Sequence, residues 1–342
     1  MTPQRPSRVL LAVLSLAVLL LAACGGDDGG DREAAPVETT PSGEVDLSGV
    51  TLRVGDLQGF SSVTFEAAGQ LEDVPYEIEW AEFPSGPPAV EAMNADALDV
   101  AAMADTPEIF AVAGGVETSI VGGSVPADPT ISQMTLLVPE DSGIESVADL
   151  EGHSVAVAQQ TVLQYFLIEA LQAEDLTLED IEPAYLQPTD ANAAYAAGEV
   201  DALIGIEPLS TIATQQVPST VIAESADYFL QQGAVVARNG ALDDPALEAA
   251  IGDYLQRQAA ASQWVFDNPD DAAALFAETI GLPEELASVS IGVTGQSWLP
   301  IDDAWIQRFQ DQADAFAEAG AAPEGLDLSS AIDDRFNDLV TL

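Results

Sequence analysis

The chain has 342 residues and a formal net charge of -50 at pH 7, with 58 Asp and Glu residues against 8 Lys and Arg. This balance excludes binding to a nucleic-acid backbone, because the sequence has no basic stripe to contact phosphates. With 48% hydrophobic residues, two domains are expected, since single cores usually stop growing at about 250–300 residues. The acidic residues are scattered over predicted helix faces, which favours a surface kept soluble in high salt over a site for cations or basic partners.

The N-terminus predicts export and a membrane anchor. Arg5 and Arg8 precede an apolar run over residues 9–21, and small residues follow before Cys24. Residues 1–23 are therefore predicted to be a signal peptide. Its end resembles the bacterial lipobox, in which the cysteine receives a diacylglycerol, so Cys24 is the predicted lipidation site; an ordinary signal peptide with a chance cysteine is the alternative. Because Cys24 is the only cysteine, no intramolecular disulfide can form.

Residues 24–46 are rich in Gly, Asp, Thr and Pro and predict a flexible tether, since they bury too little apolar surface to offset the entropy of ordering. From residue 47 onwards, apolar runs alternate with amphipathic patterns, which indicates an α/β fold with mostly parallel sheets covered by helices. The predicted strands are VTLRVGDL, YEIEWAEF, DVAAMA, MTLLVPE, HSVAVA, DALIGI and GAVVARN, and the predicted helices are PAVEAMNADA, LQYFLIEALQAED, ANAAYAAGEV and PALEAAIGDYLQRQAAASQWVFDN.

The sequence offers few groups for catalysis. His153 is the only histidine and lies in a Gly-His turn, there is no lysine, and no cysteine stays free after lipidation. A carboxylate pair of the glycosidase type is compatible with the composition, but no feature singles one out. Phosphate-binding glycine loops and metal-ligand spacings are also absent from the sequence. We therefore predict a protein that is not an enzyme, with no catalytic residue, metal or cofactor.

Five blocks of sequence, in uninterrupted order, resemble the aliphatic sulfonate-binding proteins of ABC importers. The resemblance runs from residue 52 to about residue 328 and extends to the wider group that binds nitrate, taurine and thiamine-precursor pyrimidines. The blocks are WAEFPSGPPAVEAMNADALDV, ADTPEIFAVAGG, SVADLEGHSVAVAQQT, YLQPTDANAAYAAGEVDALIGIEPLSTIA and TIGLPEEL.

This resemblance implies a type II periplasmic-binding-protein fold, with two α/β lobes joined by two crossover strands and a ligand cleft between them. Lobe I is expected at 47–138 and 233–342, lobe II at 139–232, and the crossing strands at MTLLVPEDSG and QQGAVVARNG. The implied protein is a monomer, lipid-anchored on the outer face of the cell membrane, with the permease and ATPase subunits of an importer as partners.

Candidate ligand-binding residues follow from matched positions. The loop after the first strand makes Gln58, Ser61 and Ser62 candidate donors to an anion, the alternative being a connector that caps the next helix. Asp105 and Thr106 occupy the place of an acidic motif at a strand end, where Asp105 is more typical of an N-cap or structural acceptor.

The segment IGIEPLS matches a Trp-x-Asp-Pro-like segment of the family, with Glu207 as its acid and no aromatic residue. Related proteins often carry a basic residue in a late loop, whereas here VSIGVTGQSWLP has none. Trp298 in this loop is either an apolar wall of the site or a core residue.

The remaining candidates lie where the strand HSVAVA turns into a helix. Gln159, Gln160 and Thr161 begin that helix, whose unpaired N–H groups and partial positive charge suit an anion. We expect a small organic anion, an aliphatic sulfonate or a taurine-like compound. The alternatives are a pyrimidine or thiamine precursor, for which Asp105 and Glu207 would be direct acceptors, and a small solute such as nitrate or bicarbonate. A hydrolase or lyase on the same fold and a purely structural lipoprotein remain as other classes.

Overall fold

The computed structural model describes residues 39, 45–280, 283, 284, 286–288 and 295–340. The predicted signal peptide, the lipidation site Cys24 and most of the predicted tether lie outside the described residues, as does the first half of the late loop, 289–294. Within the described part of the chain, no helix is long and apolar enough to cross a membrane.

Six strands form the first sheet, in the order β11-β4-β10-β3-β1-β2. Strands β1, β2 and β3 run parallel, β10 is antiparallel to β3 and β4, and β11 is antiparallel to β4. The bounds are β1 Thr51–Leu57, β2 Glu77–Phe83, β3 Val100–Ala104, β4 Thr118–Pro126, β10 Gly233–Arg238 and β11 Gln296–Leu299.

Five strands form the second sheet, in the order β7-β6-β8-β5-β9. Strand β6 is parallel to β7 and β8, and β5 is antiparallel to β8 and β9. The bounds are β5 Met134–Pro139, β6 Ser154–Val157, β7 Glu182–Tyr185, β8 Ala202–Ile206 and β9 Ser219–Glu224.

Helices cover both faces of each sheet, which explains why the inner strands β3, β6, β8 and β10 are almost entirely apolar, whereas the edge strand β2 alternates. One core of the first sheet lies under α1 and α8 and the other under α2, α3 and α10, while α4 and the pair α5 and α6 cover the second sheet. The helices are α1 Phe60–Ala67, α2 Gly86–Asn94, α3 Thr106–Gly114, α4 Val162–Gln172, α5 Pro188–Ala197, α6 Leu209–Gln216, α7 Asn239–Leu242, α8 Pro245–Asp267, α9 Pro269–Ile280 and α10 Asp303–Glu318.

The predicted strands and helices all coincide with observed elements, but both predicted crossing strands are wrong. Strand β5 belongs to the second sheet and β10 to the first, so the chain passes between the sheets over residues 127–133 and 225–232. The first boundary therefore falls before Met134 and not at residue 138, because β5 is hydrogen-bonded between β8 and β9.

Strand β4 was not predicted because two glycines interrupt its apolar pattern. A Cβ at Gly122 would lie 2.9 Å from Leu255 of α8, and a Cβ at Gly123 would lie 2.9 Å from the indole nitrogen of Trp305 on α10. The glycines thus let helices pack closely on both faces of this strand. The need for glycine at these two positions could not be predicted locally, since Leu255 and Trp305 are remote from them in sequence.

A buried carboxylate ties three strands together at the end of the first sheet where β3 begins. Asp99 is 1% exposed and accepts from Arg53 of β1 and Arg238 of β10, in each case over 2.9 Å from Nε or Nη2. Burial raises the pKa of Asp99, but the bonds from Arg53 and Arg238 outweigh it and the net pKa is lowered. The ion pair is therefore present in the folded protein at neutral pH.

Candidate functional site

A cavity that we call the main cavity lies where loops from the two sheets meet, next to a larger cavity of about 560 Å³ that shares Gln58, Phe60 and Pro208 with it. Gln58 follows β1 of the first sheet, and Glu207 follows β8 of the second, so both stand at carboxyl ends of strands. The two residues line one cavity of about 300 Å³. This is the position expected for a ligand of parallel α/β sheets.

One end of the main cavity is apolar. Phe60 of α1 stacks on Phe276 of α9, with ring centroids 5.1 Å apart, and Val265 of α8 packs with them. Ile206 of β8 also lines this cavity. Such a wall suits a hydrocarbon tail, because each buried CH2 group contributes about 0.8 kcal/mol.

The other end opens on polar but uncharged side chains. A second cavity of about 190 Å³, called the deeper cavity below, is lined by Ser124, Gln231, Gln232 and Trp298, together with residues 102–104 of β3. Gln258, Ser262 and Gln296 line both cavities and so mark their junction. Among the described residues, no basic side chain lines either cavity.

The arginines in the described part of the chain contact side chains of the protein itself. Four of the five in the described part of the chain form salt bridges, and the fifth, Arg308, donates from Nε to Gln232 Oε1 over 3.1 Å. The same amide donates from Nε2 to the Trp305 carbonyl oxygen. Gln232 thus stands between Arg308 and the deeper cavity with both ends bonded.

The loop after β1 contributes less than predicted. Gln58 and Ser61 line the main cavity, but Ser62 lines neither cavity. The backbone N–H groups of Ser61 and Ser62 donate to the buried carboxylate of Asp56, over 2.8 and 3.1 Å. Those two backbone donors are therefore satisfied by the chain itself and are not available to a ligand.

Asp105 and Thr106 lie in the core and not at either cavity. Both are completely buried; the Thr106 hydroxyl donates to Gln312 Oε1, and Gln312 Nε2 donates to Asp105 Oδ2, each over 2.7 Å. Burial raises the pKa of Asp105 to about 7, although the bond from Gln312 lowers it. Asp105 acts here as a structural acceptor that joins α3 to α10.

The predicted anion site at the start of α4 is largely occupied by the chain's own groups. Thr161 Oγ accepts from the Leu163 N–H over 3.2 Å, and Gln164 Oε1 accepts from the Gln160 N–H over 2.7 Å. Gln159, Gln160 and Thr161 line neither cavity. Thr161 and Gln164 thus satisfy two of the N–H groups at this helix start, and its role as the main donor to an anion stays a prediction.

Glu207 and Trp298 both lie at the cavities. Glu207 lines the main cavity and accepts from Thr211 Oγ over 2.8 Å. Trp298 lines the deeper cavity, is 7% exposed and also packs in the core under α8. The two alternatives for Trp298, wall and core, thus both describe it.

Sequence reasoning missed the three side chains at the junction of the cavities. Gln258 and Ser262 are four residues apart on α8, and Gln296 is two residues before Trp298 on β11, so each pair shares one face of its element. These spacings are a usable signal, but only after β11 is known to lie beside α8. Among the described residues, no group of acidic, histidine or cysteine side chains is arranged to hold a metal ion.

Comparison with known proteins identifies the family. The family model for the ABC transporter, phosphonate, periplasmic substrate-binding protein matches residues 75–276, more than half of the chain. A putative aliphatic sulfonates-binding protein of Escherichia coli (strain K12) is 30% identical over 291 residues, which covers 82% of this chain and 88% of that protein.

Two solved structures have the same fold. The alkanesulfonate-binding protein SsuA from Xanthomonas axonopodis pv. citri, bound to MOPS, is 26% identical with a TM-score of 0.76, over 83% of this chain and 98% of that one. The periplasmic aliphatic sulphonate binding protein SsuA from Escherichia coli is 29% identical with a TM-score of 0.71, over 83% and 92%. The predicted type II periplasmic-binding-protein fold and the predicted resemblance are both confirmed. The chain belongs to the periplasmic substrate-binding proteins of ABC transporters.

Proposed function

We propose that this protein captures a small organic anion, an aliphatic sulfonate or a taurine-like compound, and delivers it to the permease and ATPase subunits of an ABC importer. The observation that carries the proposal is the two-ended cavity, with stacked aromatic rings at one end and uncharged polar side chains at the other. An alkyl chain with an oxyanion head has the same two-ended chemistry. The relatives named as aliphatic sulfonate-binding proteins support this choice.

Neutral donors are sufficient for useful affinity. A hydrogen bond to a charged acceptor contributes about 1.5–3 kcal/mol, so three of them together with two or three buried CH2 groups approach the roughly -8 kcal/mol of micromolar binding. The net charge of -50 opposes an anion only weakly, because salt at about 0.15 M screens charges beyond about 8 Å. Local geometry therefore outweighs net charge.

In the proposed function the protein binds and releases its ligand without converting it. The two α/β lobes close on the ligand by hinge motion at residues 127–133 and 225–232, where the chain passes between the sheets. The protein works as a monomer that binds and releases its ligand unchanged. A diacylglycerol on Cys24 holds it at the outer face of the cell membrane, with residues 24–46 as tether.

An alkanesulfonate should stabilise the full-length protein against heat. At about 100 times the dissociation constant, a ligand that binds only the folded state adds about 2.7 kcal/mol to the free energy of unfolding. We expect a raised melting temperature with ethanesulfonate or taurine in a thermal-shift assay, and no shift with sodium chloride at the same ionic strength. A shift with a pyrimidine and none with saturating sulfonate would contradict the proposal.

Replacing the acid in the main cavity distinguishes the anion from a basic heterocycle. Glu207→Gln should leave ethanesulfonate binding unchanged or tighten it by about two- to fivefold, because a negative charge next to the ligand is removed. A weakly basic heterocycle would instead lose its acceptor and bind more weakly. Titration calorimetry measures this, with Glu199→Gln as the control at an exposed site remote from the cavity lining.

A further inference from the structure

We propose that Gln258, Ser262 and Gln296 form a donor-only site for the oxyanion head, and that this site accepts a sulfonate and rejects a phosphonate of the same carbon skeleton. The inference rests on the proposed function, which requires a small organic anion in this cleft. It adds the residues that hold the head group and the chemical property by which they select it.

The three side chains converge from two elements on one place. Gln258 and Ser262 lie one turn apart on α8, and Gln296 lies on β11, the edge strand that packs beside α8. All three line both the main and the deeper cavity. A head group at the junction can therefore contact all of them while its tail extends towards Phe60 and Phe276.

Every acceptor oxygen of these three side chains already receives a hydrogen bond. Tyr254 donates from its hydroxyl to Gln258 Oε1 over 3.2 Å, and Ser124 donates to Gln296 Oε1 over 3.2 Å. Trp298 donates from Nε1 to Ser262 Oγ over 2.8 Å.

One of the internal donors has a fixed direction. An indole nitrogen can only donate, so the Ser262 oxygen must accept and its own hydrogen is free to point elsewhere. Burial raises the pKa of the Tyr254 hydroxyl, so this group keeps its proton, and in the structure it donates to Gln258 Oε1. In the structure the amide oxygens of Gln258 and Gln296 accept from Tyr254 and Ser124, which leaves both NH2 groups for the cavity. The junction offers two amide NH2 groups and one hydroxyl hydrogen.

Three further acceptor side chains near the junction leave it a site of donors for the head group. Gln232 is bonded at both ends, to Arg308 and to the Trp305 carbonyl. Gln231 Oε1 is buried to less than 1 Å² of accessible surface, so a ligand in the cavity does not reach it. Glu207 is an acceptor in the main cavity, but a carboxylate there repels a second negative charge on the ligand.

A sulfonate and a phosphonate differ in the protons and negative charges that they bring to these three donors. A sulfonate has three acceptor oxygens, one negative charge and no proton, so three donors satisfy it. A phosphonate near neutral pH carries either a P–OH group or a second negative charge, as phosphoryl groups do. The P–OH form would bury a donor opposite other donors, and the dianion would enter a cavity with no cation. Either form leaves a buried polar or charged group uncompensated, which is how sites reject close analogues.

The test compares ethanesulfonate and ethylphosphonate on the full-length protein by titration calorimetry, at about pH 6 and about pH 9, on either side of the second phosphonate ionisation. We expect the sulfonate to bind at least about 100-fold more tightly at both pH values. Equal dissociation constants for the two ligands would overturn the inference.

Gln258→Glu tests the donor directly. The substitution keeps the oxygen that accepts from Tyr254 and replaces the NH2 group at the cavity by a second carboxylate oxygen. We expect ethanesulfonate affinity to fall at least about 30-fold, and the preference over ethylphosphonate at about pH 6 to narrow at least about tenfold, because the P–OH group gains an acceptor. The narrowed preference is a result that mere loss of structure would not produce.

Two further variants complete the design. Gln296→Glu makes the same exchange on β11 and should have the same effect, so the test does not depend on one variant folding. Gln256→Glu adds the same charge on the exposed face of α8 and should change neither affinity by more than about twofold. Ethanesulfonate binding as tightly to Gln258→Glu and Gln296→Glu as to the wild type would overturn the donor site and leave the proposed function intact. Wild-type protein that binds no sulfonate would instead refute the proposed function.

Discussion

Replacing Asp105 with Asn should stabilise the protein increasingly as the pH rises from about 4 to about 7. The fully buried carboxyl of Asp105 has its pKa raised by burial from 3.8 to about 7. Between these two values the unfolded chain releases the proton and the folded protein keeps it, so the folded state is penalised by about 1.4 kcal/mol per pH unit. Above about pH 7 both states are ionised and the penalty becomes constant.

Asn carries no such penalty and keeps an oxygen to accept from Gln312. The difference in free energy of unfolding between Asp105→Asn and wild type should therefore grow by up to about 4 kcal/mol across this window. Glu108 is the second test, since it is equally buried in α3, accepts from Thr118 Oγ and has its pKa raised by burial to about 8. For Glu108→Gln the difference should grow from about pH 4.5 and level off above about pH 8.

Urea unfolding at a series of pH values measures both effects. Asp190→Asn provides the matched control, because Asp190 lies in the first turn of α5 but is exposed. A difference between Asp105→Asn and wild type that stays constant from pH 4 to pH 8 would show that the carboxyl ionises in the fold as readily as in the unfolded chain.

Removing the carboxylate that joins three strands should cost more than any single surface change. Asp99→Ala leaves Arg238, which is 16% exposed, and Arg53 without the charge that both contact. Removing one partner of a buried ion pair typically costs about 3–5 kcal/mol. Arg238 keeps its contact with the exposed Asp96, but Asp99 is the buried carboxylate that both arginines contact. We expect a loss of this size in the free energy of unfolding at pH 7.

Asp96→Ala is the control for this prediction. Asp96 also contacts Arg238, over 3.0 Å, but its side chain is 80% exposed, so its loss should cost less than about 1 kcal/mol. Asp99 stands before β3, at the opposite end of the strand from the cleft, and ethanesulfonate affinity should therefore be unchanged in both variants. A cost below about 1 kcal/mol for Asp99→Ala would mean that water replaces the lost carboxylate.

Local patterns in the sequence predicted seven of the eleven described strands and four of the ten helices given above. Runs such as HSVAVA and GAVVARN predicted β6 and β10 because strands covered by helices on both faces are almost entirely apolar. The apolar pattern did not predict β4, because Gly122 and Gly123 interrupt it. These glycines leave room for Leu255 and Trp305, which pack on the two faces of the strand. Local patterns also misplaced the crossings between the sheets, since strand partners are not encoded in the strand alone.

At the candidate site, too, motifs predicted the positions of some residues, whereas the availability of their donor groups depended on the tertiary structure. Gln58, Ser61, Glu207 and Trp298 were placed at the cleft by their motifs, because strand ends and the loops after them gather at one edge of a parallel sheet. The start of α4 also had the expected helix, but its free N–H groups could not be judged from the sequence. Gln164 accepts from the Gln160 N–H and Thr161 accepts from the Leu163 N–H, so two of these groups are already satisfied within the chain.

The sequence by itself determined the α/β architecture, the family and the absence of lysine from the site, because periodicity, motif order and composition are properties of the chain. Only the tertiary structure decided which polar atoms remain available to a ligand. Ser124 and Gln296 are 172 residues apart, and Trp298 and Ser262 are 36 apart, yet these contacts fix which atoms of the junction donate. A hydrogen-bonding group is free only when no other part of the fold has satisfied it, and that condition depends on the whole packed molecule.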